Sequence, residues 1–299
     1  MAVSIAEPGR TAGIYLDACA TAPPAREVRQ AMDHAMNVAW GNPSSLHGFG
    51  IAAADHLERS RWRLAQGLGA DPDEVVFVSG GTEAIHAALL GSAAVMEPGR
   101  LVISAVEHPA TTAAARCLVT LGWQVATLPV DRQGLVSVEA LDALLAPPTR
   151  LMSLIWGQSE VGAVQPLEAI ALRCRAADVR LHVDAVQVVG HRSIDFSRLP
   201  VDLLSCTAHK LGGPRGIGAL LVRADLPLAP LIGGGGQERG HRGGTEGVAL
   251  AAGFATAVEL AEARLAAHGG QDPIARLRDD LLARLRGLEG VRLTGPAPD

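Results

Sequence analysis

Lys210 is the residue whose type and surroundings most strongly suggest chemistry. Lysine and arginine together number 26, and Lys210 is the only lysine among them. An arginine guanidinium stays protonated and cannot act as an amine nucleophile, whereas a lysine can. A lone lysine on a solvated face is the alternative, but Thr207 and His209 precede Lys210 and glycines follow at 212, 213 and 216. Such a segment can hold a phosphate and an aldehyde of one ligand together.

A second segment, Ser79 to Glu83, predicts a phosphate cradle. It lies between an apolar run that predicts a strand and an Ala/Leu pattern that predicts a helix. Small residues such as Gly81 let the backbone approach an anion, the helix start offers free N–H groups, and Thr82 adds a hydroxyl donor. An ordinary tight turn is the alternative. The segment lacks the spacing of a nucleotide P-loop or a dinucleotide fingerprint.

Asp184 ends a third apolar run and is followed by Gln187. A carboxylate at the ligand edge of a sheet can keep a heterocyclic nitrogen protonated, which makes a pyridinium ring an electron sink. His182 and Asp184 could also pass for metal ligands, but no third ligand stands nearby, so we expect His182 to be a packed residue. A fourth segment, from Gly233 to Thr245, is glycine-rich and precedes a helix; it predicts either a second anion contact or a solvated loop.

These segments must be positioned by an alternation of strands and helices. Six short apolar runs predict strands, at 74–78, 101–104, 124–128, 151–156, 180–183 and 202–205. The alternation with helical patterns indicates an α/β fold with a largely parallel sheet and ligands at the carboxyl ends of its strands. Beyond Thr245 the pattern predicts two long helices, 248–268 and 274–288, and then a short strand at 291–293.

Composition excludes several classes of partner. The net charge of -5 offers no basic field for nucleic acid, and no apolar run is long enough to cross a bilayer. The first 13 residues resemble neither a secretory nor a transit peptide, so we expect a cytoplasmic protein. The cysteines, at 19, 117, 174 and 206, show no zinc or CxxC spacing, and neither a metal nor a disulfide framework is predicted.

Taken in order, the segments resemble the cysteine desulfurase family of fold-type I enzymes dependent on pyridoxal phosphate (PLP), within the class V aminotransferases. The resemblance runs from Tyr15 to about Gly295. Its signatures are 15–17 with 20–21, 41–45 with His47, 79–83, 107–108, 160–162, 182–187, 208–210, 216–219 and 242–245. It implies a mostly parallel sheet sandwiched by helices. The predicted domains are an N-terminal segment (1–13), a PLP-binding large domain (14–260) and the beginning of a small C-terminal domain (261–299).

The resemblance also implies residue roles. Lys210 would form the Schiff base with PLP and move protons at the substrate's α-carbon, while His108 would stack on the ring and take part in acid-base steps. The other expected cofactor contacts are as follows: Asp184 to the ring nitrogen, Gln187 to the phenolic oxygen, Gly81, Thr82, Thr207 and His209 to the phosphate, and Thr245 to the phosphate of a neighbouring subunit. The last role implies a homodimer with shared active sites.

Two departures from the family pattern bear on function. Ser159 stands where the family carries an asparagine near the ring oxygen, which could retune cofactor binding. The family's small domain supplies a persulfide-forming cysteine and a carboxylate-binding arginine, and neither has a counterpart before Asp299. None of the four cysteines matches that nucleophile, although Cys19 and Cys206 could lie near the cofactor. We therefore expect both the small domain and the residues for sulfur chemistry to be incomplete in this chain.

The predicted function is conversion of L-cysteine to L-alanine and sulfane sulfur, which an acceptor protein would receive for iron-sulfur cluster or thio-modification pathways. One alternative is another class V activity, such as a selenocysteine lyase, an amino-acid lyase or an aminotransferase. A second alternative is a non-catalytic remnant that binds PLP or a partner.

Overall fold

The computed structural model describes residues 13–298 as a seven-stranded sheet with helices on both faces. The strands are β1 (Val75–Val78), β2 (Arg100–Ser104), β3 (Gln124–Leu128), β4 (Thr149–Ile155), β5 (Arg180–Asp184), β6 (Leu203–Thr207) and β7 (Gly218–Val222). The helices are α1 (Arg26–Val38), α2 (Gly48–Leu68), α3 (Gly81–Ala93), α4 (Pro109–Thr120), α5 (Val138–Leu145), α6 (Leu167–Ala176), α7 (Val248–Ala267) and α8 (Ile274–Arg286). All six predicted strands are present, with ends within two residues of those expected.

The sheet has the strand order β1-β7-β6-β5-β4-β2-β3. Strand β7 pairs antiparallel with β1 and β6, and the remaining pairs are parallel. The predicted α/β fold with a mostly parallel sheet sandwiched by helices is confirmed. Because β1 and β6 both run opposite to β7, their carboxyl ends reach the same edge as those of β2, β4 and β5. The segments predicted to bind a ligand follow these strands and therefore converge there.

Alternating strand residues build the core on the two faces of the sheet. On one face, Ile103 and Leu151 pack with α3 and α4. On the other, Val102 and Met152 belong to the cluster that includes the apolar sides of α2, α5, α6 and α7. Strands β1, β6 and β7 are buried along their whole length, as expected of a sheet covered on both faces. This covering holds the strand ends, and hence the site, in fixed positions.

A buried ion pair ties the glycine-rich segment to the sheet. The side chains of Arg61 on α2 and Glu238 are 2% and 1% exposed, and Arg61 Nη1 lies 2.6 Å from Glu238 Oε2. Glu238 also accepts a hydrogen bond from the backbone N–H of Phe77 on β1. Glu238 and Arg239 both have positive φ, at 48° and 56°, which non-glycine residues rarely adopt. The pair therefore stabilises a bent segment that the isolated chain would not favour.

The C-terminal part is only partly as expected. Both predicted long helices form, but residues 291–293 form no strand, so that prediction was wrong. A strand needs a neighbouring strand to satisfy its backbone groups, and none pairs with residues 291–293 within residues 13–298. Helix α8 has no buried residue. Helix α7 runs unbroken across residues 260 and 261, so the predicted boundary between the large and small domains stays a prediction. Most of the predicted N-terminal segment, residues 1–12, lies outside the described residues.

Within residues 13–298, no helix combines the length and apolar character needed to span a bilayer.

Candidate active site

A cavity of about 570 Å³ opens where the carboxyl ends of the strands meet. Nine of the ten predicted site residues line it: Gly81, Thr82, His108, Ser159, Asp184, Gln187, Thr207, His209 and Lys210. The sheet thus brings together residues up to about half the chain apart in sequence. The tenth, Thr245, does not line this cavity and instead lines a separate groove with Met36 and Trp40.

Lys210 follows β6 on a short 3₁₀ turn that places its amine in the cavity. Its Nζ donates to the backbone carbonyl oxygens of Cys19, at 2.7 Å, and Ala20, at 3.0 Å. Burial lowers the pKa of this amine, and nearby Cys19, Asp17 and Asp184 oppose the shift. A lowered pKa increases the neutral fraction of the amine, which is the nucleophilic form.

The turn after Lys210 depends on glycine. Gly212 and Gly216 have φ values of 80° and 87°, in the left-handed region that side chains disfavour. The turn leads directly into β7, which sequence reasoning did not identify as a strand. The glycines at 212, 213 and 216 had indicated only a turn.

Asp184 lies at the last position of β5 and is 3% exposed. One oxygen, Oδ1, accepts a hydrogen bond from the backbone N–H of Val186 at 3.0 Å. Burial raises the pKa of this carboxyl, while that hydrogen bond and the charges of His108 and Lys210 favour its ionised form. A buried carboxylate of this kind gains from a cationic partner in the cavity.

The segment from Ser79 to Glu83 forms the tight approach that the sequence predicted. Helix α3 begins at Gly81, so the first N–H groups of the helix face the cavity without intrahelical partners. A Cβ on Gly81 would lie 2.9 Å from Val186 Cγ2, so a larger residue would displace the wall. Glu83 accepts from the backbone N–H of Ser79 and from Arg242 Nε, at 2.7 and 2.9 Å. The ion pair with Arg242 offsets a negative charge close to the anion cradle.

Thr207 and His209 lie beside this cradle. The Thr207 hydroxyl donates to the carbonyl oxygen of Ile217 at 3.0 Å, so it would have to rotate to donate to an anion. The His209 ring nitrogen Nδ1 lies 3.2 Å from the Thr21 hydroxyl. Burial lowers the pKa of His209, with smaller effects from Lys210 and Arg215. His209 is therefore mostly neutral near pH 7 and presents one N–H donor.

His108, Gln187 and Ser159 also line the cavity. His108 caps helix α4, with Nδ1 accepting from the backbone N–H of Ala110 at 3.1 Å. The Gln187 amide donates to the carbonyl oxygen of Cys19 at 3.0 Å. Ser159 is exposed in a loop that the Gln158 side chain organises, because its Oε1 accepts from the N–H groups of Glu160 and Val161. Ser159, which stands where the family carries an asparagine, thus lines the cavity.

Sequence reasoning missed other residues at the cavity as site residues. The backbone carbonyl oxygens of Cys19 and Ala20, which receive Lys210 and Gln187, carry no side-chain signal. Glu107, adjacent to His108, also lines the cavity. Its position in the family signature at 107–108 was the signal that could have identified it.

His182 and Cys206 do not contribute side chains to the cavity. The ring of His182 is fully buried and makes hydrogen bonds to the hydroxyls of Ser153 and Ser205, at 2.9 and 2.7 Å. Burial lowers its pKa to about 3, so it is neutral, and its expected role as a packed residue is confirmed. Burial raises the pKa of Cys206 to about 12, which makes this thiol a poor nucleophile. Cys19, by contrast, is exposed and lines the cavity.

The chemical groups that line the cavity fit those of PLP. An amine, a buried carboxylate and a helix start are the partners that an aldehyde, a ring nitrogen and a phosphate require. The close approach at Gly81 leaves backbone N–H groups accessible to an anion. All three groups line one cavity.

Comparison with known proteins agrees with this chemistry. Residues 14–299 match the family model described as "Aminotransferase class-V". The chain is 38% identical over 286 residues to "Cysteine desulfurase IscS" of Dictyoglomus turgidum, covering 95% of this chain and 72% of the relative. It is 42% identical over 273 residues to "Cysteine desulfurase" of Cereibacter sphaeroides, covering 90% and 69%.

Solved structures give the same result. A "NIFS-LIKE PROTEIN" superposes with a TM-score of 0.89 at 35% identity, covering 94% of this chain and 77% of that one. A structure of "SspA in complex with cysteine" gives a TM-score of 0.78 at 35% identity, covering 82% and 72%. The chain belongs to the class V aminotransferase family and is related to the PLP-dependent cysteine desulfurases within it.

Proposed function

We propose that this chain binds PLP at the Lys210 cavity and acts on L-cysteine as a cysteine desulfurase, releasing L-alanine and sulfane sulfur. The observation that carries the proposal is the convergence of Lys210, Asp184 and the Gly81 helix start on one cavity. Relatives named as cysteine desulfurases, and a related structure described as containing cysteine, support the choice of substrate.

Each proposed role follows from a position in the cavity. Bound PLP supplies an electron sink for charge that develops at the substrate's α-carbon. The Lys210 amine, with its lowered pKa, attaches the cofactor and exchanges a proton at that carbon. Asp184 supplies the negative charge for the ring nitrogen.

The remaining contacts orient the cofactor. Gln187 and Ser159 would approach the phenolic oxygen, and His108 would cover the ring face. The phosphate would be held by the start of α3, at Gly81 and Thr82, and by Thr207 and His209, all of which line the cavity.

Product identification tests the activity. The chain would be loaded with PLP and supplied with L-cysteine and an excess of thiol reductant. One thiol takes the sulfur from the substrate as a persulfide, in place of the cysteine that the resemblance implies but this sequence does not match, and a second thiol reduces that persulfide to sulfide and forms a disulfide. We expect alanine and sulfide in equal amounts. A keto acid would indicate aminotransfer, and turnover of selenocysteine alone would indicate a lyase. Bound PLP without any product would favour the non-catalytic alternative. Sulfur transfer to an acceptor protein and a cytoplasmic location stay predictions.

We also propose that a second copy of this chain covers the apolar surface around Trp40. Trp40 and Phe49 are 66% and 61% exposed, and their ring centroids lie 4.9 Å apart. Thr245, the residue expected to reach a neighbouring subunit, lines the groove that contains Trp40. Exposed aromatic clusters of this kind mark association surfaces.

Sedimentation velocity tests this association. We expect a dimer at micromolar concentration and a shift towards monomer in Trp40→Asp, because a buried carboxylate would lose its solvation. Leu172→Asp on α6 is the matched control: Leu172 is 53% exposed and α6 packs against α5 and β5. A monomer in the unchanged chain, or equal dissociation in both variants, would contradict the proposal.

A further inference from the structure

Glu107 lies between β2 and α4 and links two strand ends at the cavity. Its Oε1 accepts a hydrogen bond from the Ser104 hydroxyl at 2.6 Å and another from the backbone N–H of Ile155 at 2.7 Å. Ile155 is the residue of β4 that pairs with Asp184 of β5. One carboxyl oxygen thus joins the ends of β2 and β4 next to the carboxylate proposed to face the cofactor's ring nitrogen.

The other oxygen of Glu107 has no hydrogen-bond partner within residues 13–298. Although the residue borders the cavity, Oε2 is buried. The Thr111 hydroxyl, in the first turn of α4, is also buried and likewise unpaired in this part of the chain. Thr111 is close enough to act on Glu107, and its hydroxyl could donate to an ionised Oε2 or accept from a protonated Oε2 after a small rotation. The charges around Glu107 decide between the two arrangements.

The surrounding charges favour the protonated state. No cation among residues 13–298 forms an ion pair with Glu107, and the charged group that acts on it is the carboxylate of Asp184 on β5. His108 and Lys210, the basic groups of the cavity, act on Asp184. Burial raises the pKa of Glu107 to about 8, the hydrogen bonds from Ser104 and Ile155 oppose the rise, Asp184 adds to it, and the nearby Thr111 hydroxyl opposes it to a smaller extent. Neighbouring carboxylates repel each other, so one of the two groups, Glu107 or Asp184, takes up a proton.

We propose that Glu107 is a positioning residue that works as a neutral carboxylic acid, accepting through Oε1 from β2 and β4 and donating through Oε2 to Thr111 on α4. The three contacts fix the residue that precedes His108 and leave Asp184 as the negative charge next to the ring nitrogen. The inference rests on the proposed function for its consequence in cofactor binding, but the protonation state can be measured without any cofactor.

Infrared difference spectroscopy of the full chain tests the protonation state. We expect wild type minus Glu107→Gln to show the C=O stretch of a protonated carboxyl at pH 7, and this band to disappear as the pH rises through about 8. Glu160→Gln is the matched control, because Glu160 lines the same cavity and is exposed. No band at pH 7, or an equal band in the Glu160 control, would overturn the proposal whether or not PLP binds.

Titration with PLP tests the positioning role. Glutamine keeps the acceptor and the donor of a neutral acid, so we expect the Kd of Glu107→Gln to stay within about threefold of wild type. Leucine removes the acceptor from two donors, and we expect Glu107→Leu to raise Kd by more than about tenfold. A large loss in Glu107→Gln would mean that the anion is required. No loss of affinity in Glu107→Leu would refute the positioning role. If wild type does not bind PLP, the proposed function is refuted, but the infrared measurement still tests the protonation state of Glu107.

Discussion

Replacing Arg61 with leucine is expected to lower the free energy of unfolding by about 3–5 kcal/mol, because it leaves the buried Glu238 carboxylate without its partner. Arg61 also donates to the carbonyl oxygen of Val75 at 2.9 Å and lies over the ring of Phe77, with its guanidinium carbon 4.8 Å from the centroid. The substitution therefore removes contacts to β1 as well as the ion pair.

Urea unfolding at pH 7 measures this loss, and a nearby ion pair provides the control. Arg59 and Asp55 form an exposed pair on the same helix, with side chains 71% and 52% exposed. We expect Arg59→Leu to cost less than about 1 kcal/mol. The double variant Arg61→Leu with Glu238→Leu should recover part of the loss, since no charge is left buried. Equal effects in the two single variants would contradict the account.

The consequence of this pair for function lies in the segment that it anchors. Glu238 and Arg239 hold positive φ values, and the same segment carries Arg242, which pairs with Glu83 at the anion cradle, and Thr245. The sequence predicted a glycine-rich segment that either binds an anion or is solvated. It could not reveal that a buried carboxylate anchors the segment, because the partner lies 177 positions away in sequence.

Six strands, and the site residues at their carboxyl ends, were predictable because buried parallel strands appear in the sequence as short apolar runs. Asp184 and Lys210 follow such runs, and the topology places both at one edge of the sheet. Strand β7 was missed because its preceding glycines indicate a turn, and its pairing with β1 and β6 depends on tertiary contacts. The predicted strand at 291–293 failed for the converse reason: its apolar residues have no strand to pair with among residues 13–298.

Within the site, side-chain chemistry was more predictable than protonation and backbone contacts. The amine of Lys210 and the carboxylate of Asp184 can be identified from residue type and position. The hydrogen bonds from Lys210 to two backbone carbonyl oxygens cannot, because every residue has a carbonyl. Glu107 resembles any acidic residue in the sequence, and only its burial and the proximity of Asp184 indicate a neutral acid.

Replacing Lys210 with alanine is expected to abolish covalent attachment of PLP. Lys210 is the only lysine, and its amine has a pKa lowered by burial, so it is the side chain able to react with the cofactor's aldehyde. Lys210→Arg is the matched control, because it keeps a positive charge in the cavity but offers no reactive amine. Any residual binding in these variants would come from the anion cradle and Asp184, and would be reversible.

Intact mass after borohydride reduction of the PLP-treated chain tests the central claim most directly, because reduction makes an attachment to a lysine permanent. We predict one cofactor adduct on Lys210 in wild type, which peptide mapping distinguishes from any reaction at the N-terminal amine, and no adduct at an internal residue in Lys210→Ala or Lys210→Arg. A wild-type chain that is unmodified at Lys210, or an adduct at an internal residue of Lys210→Ala, would contradict the account.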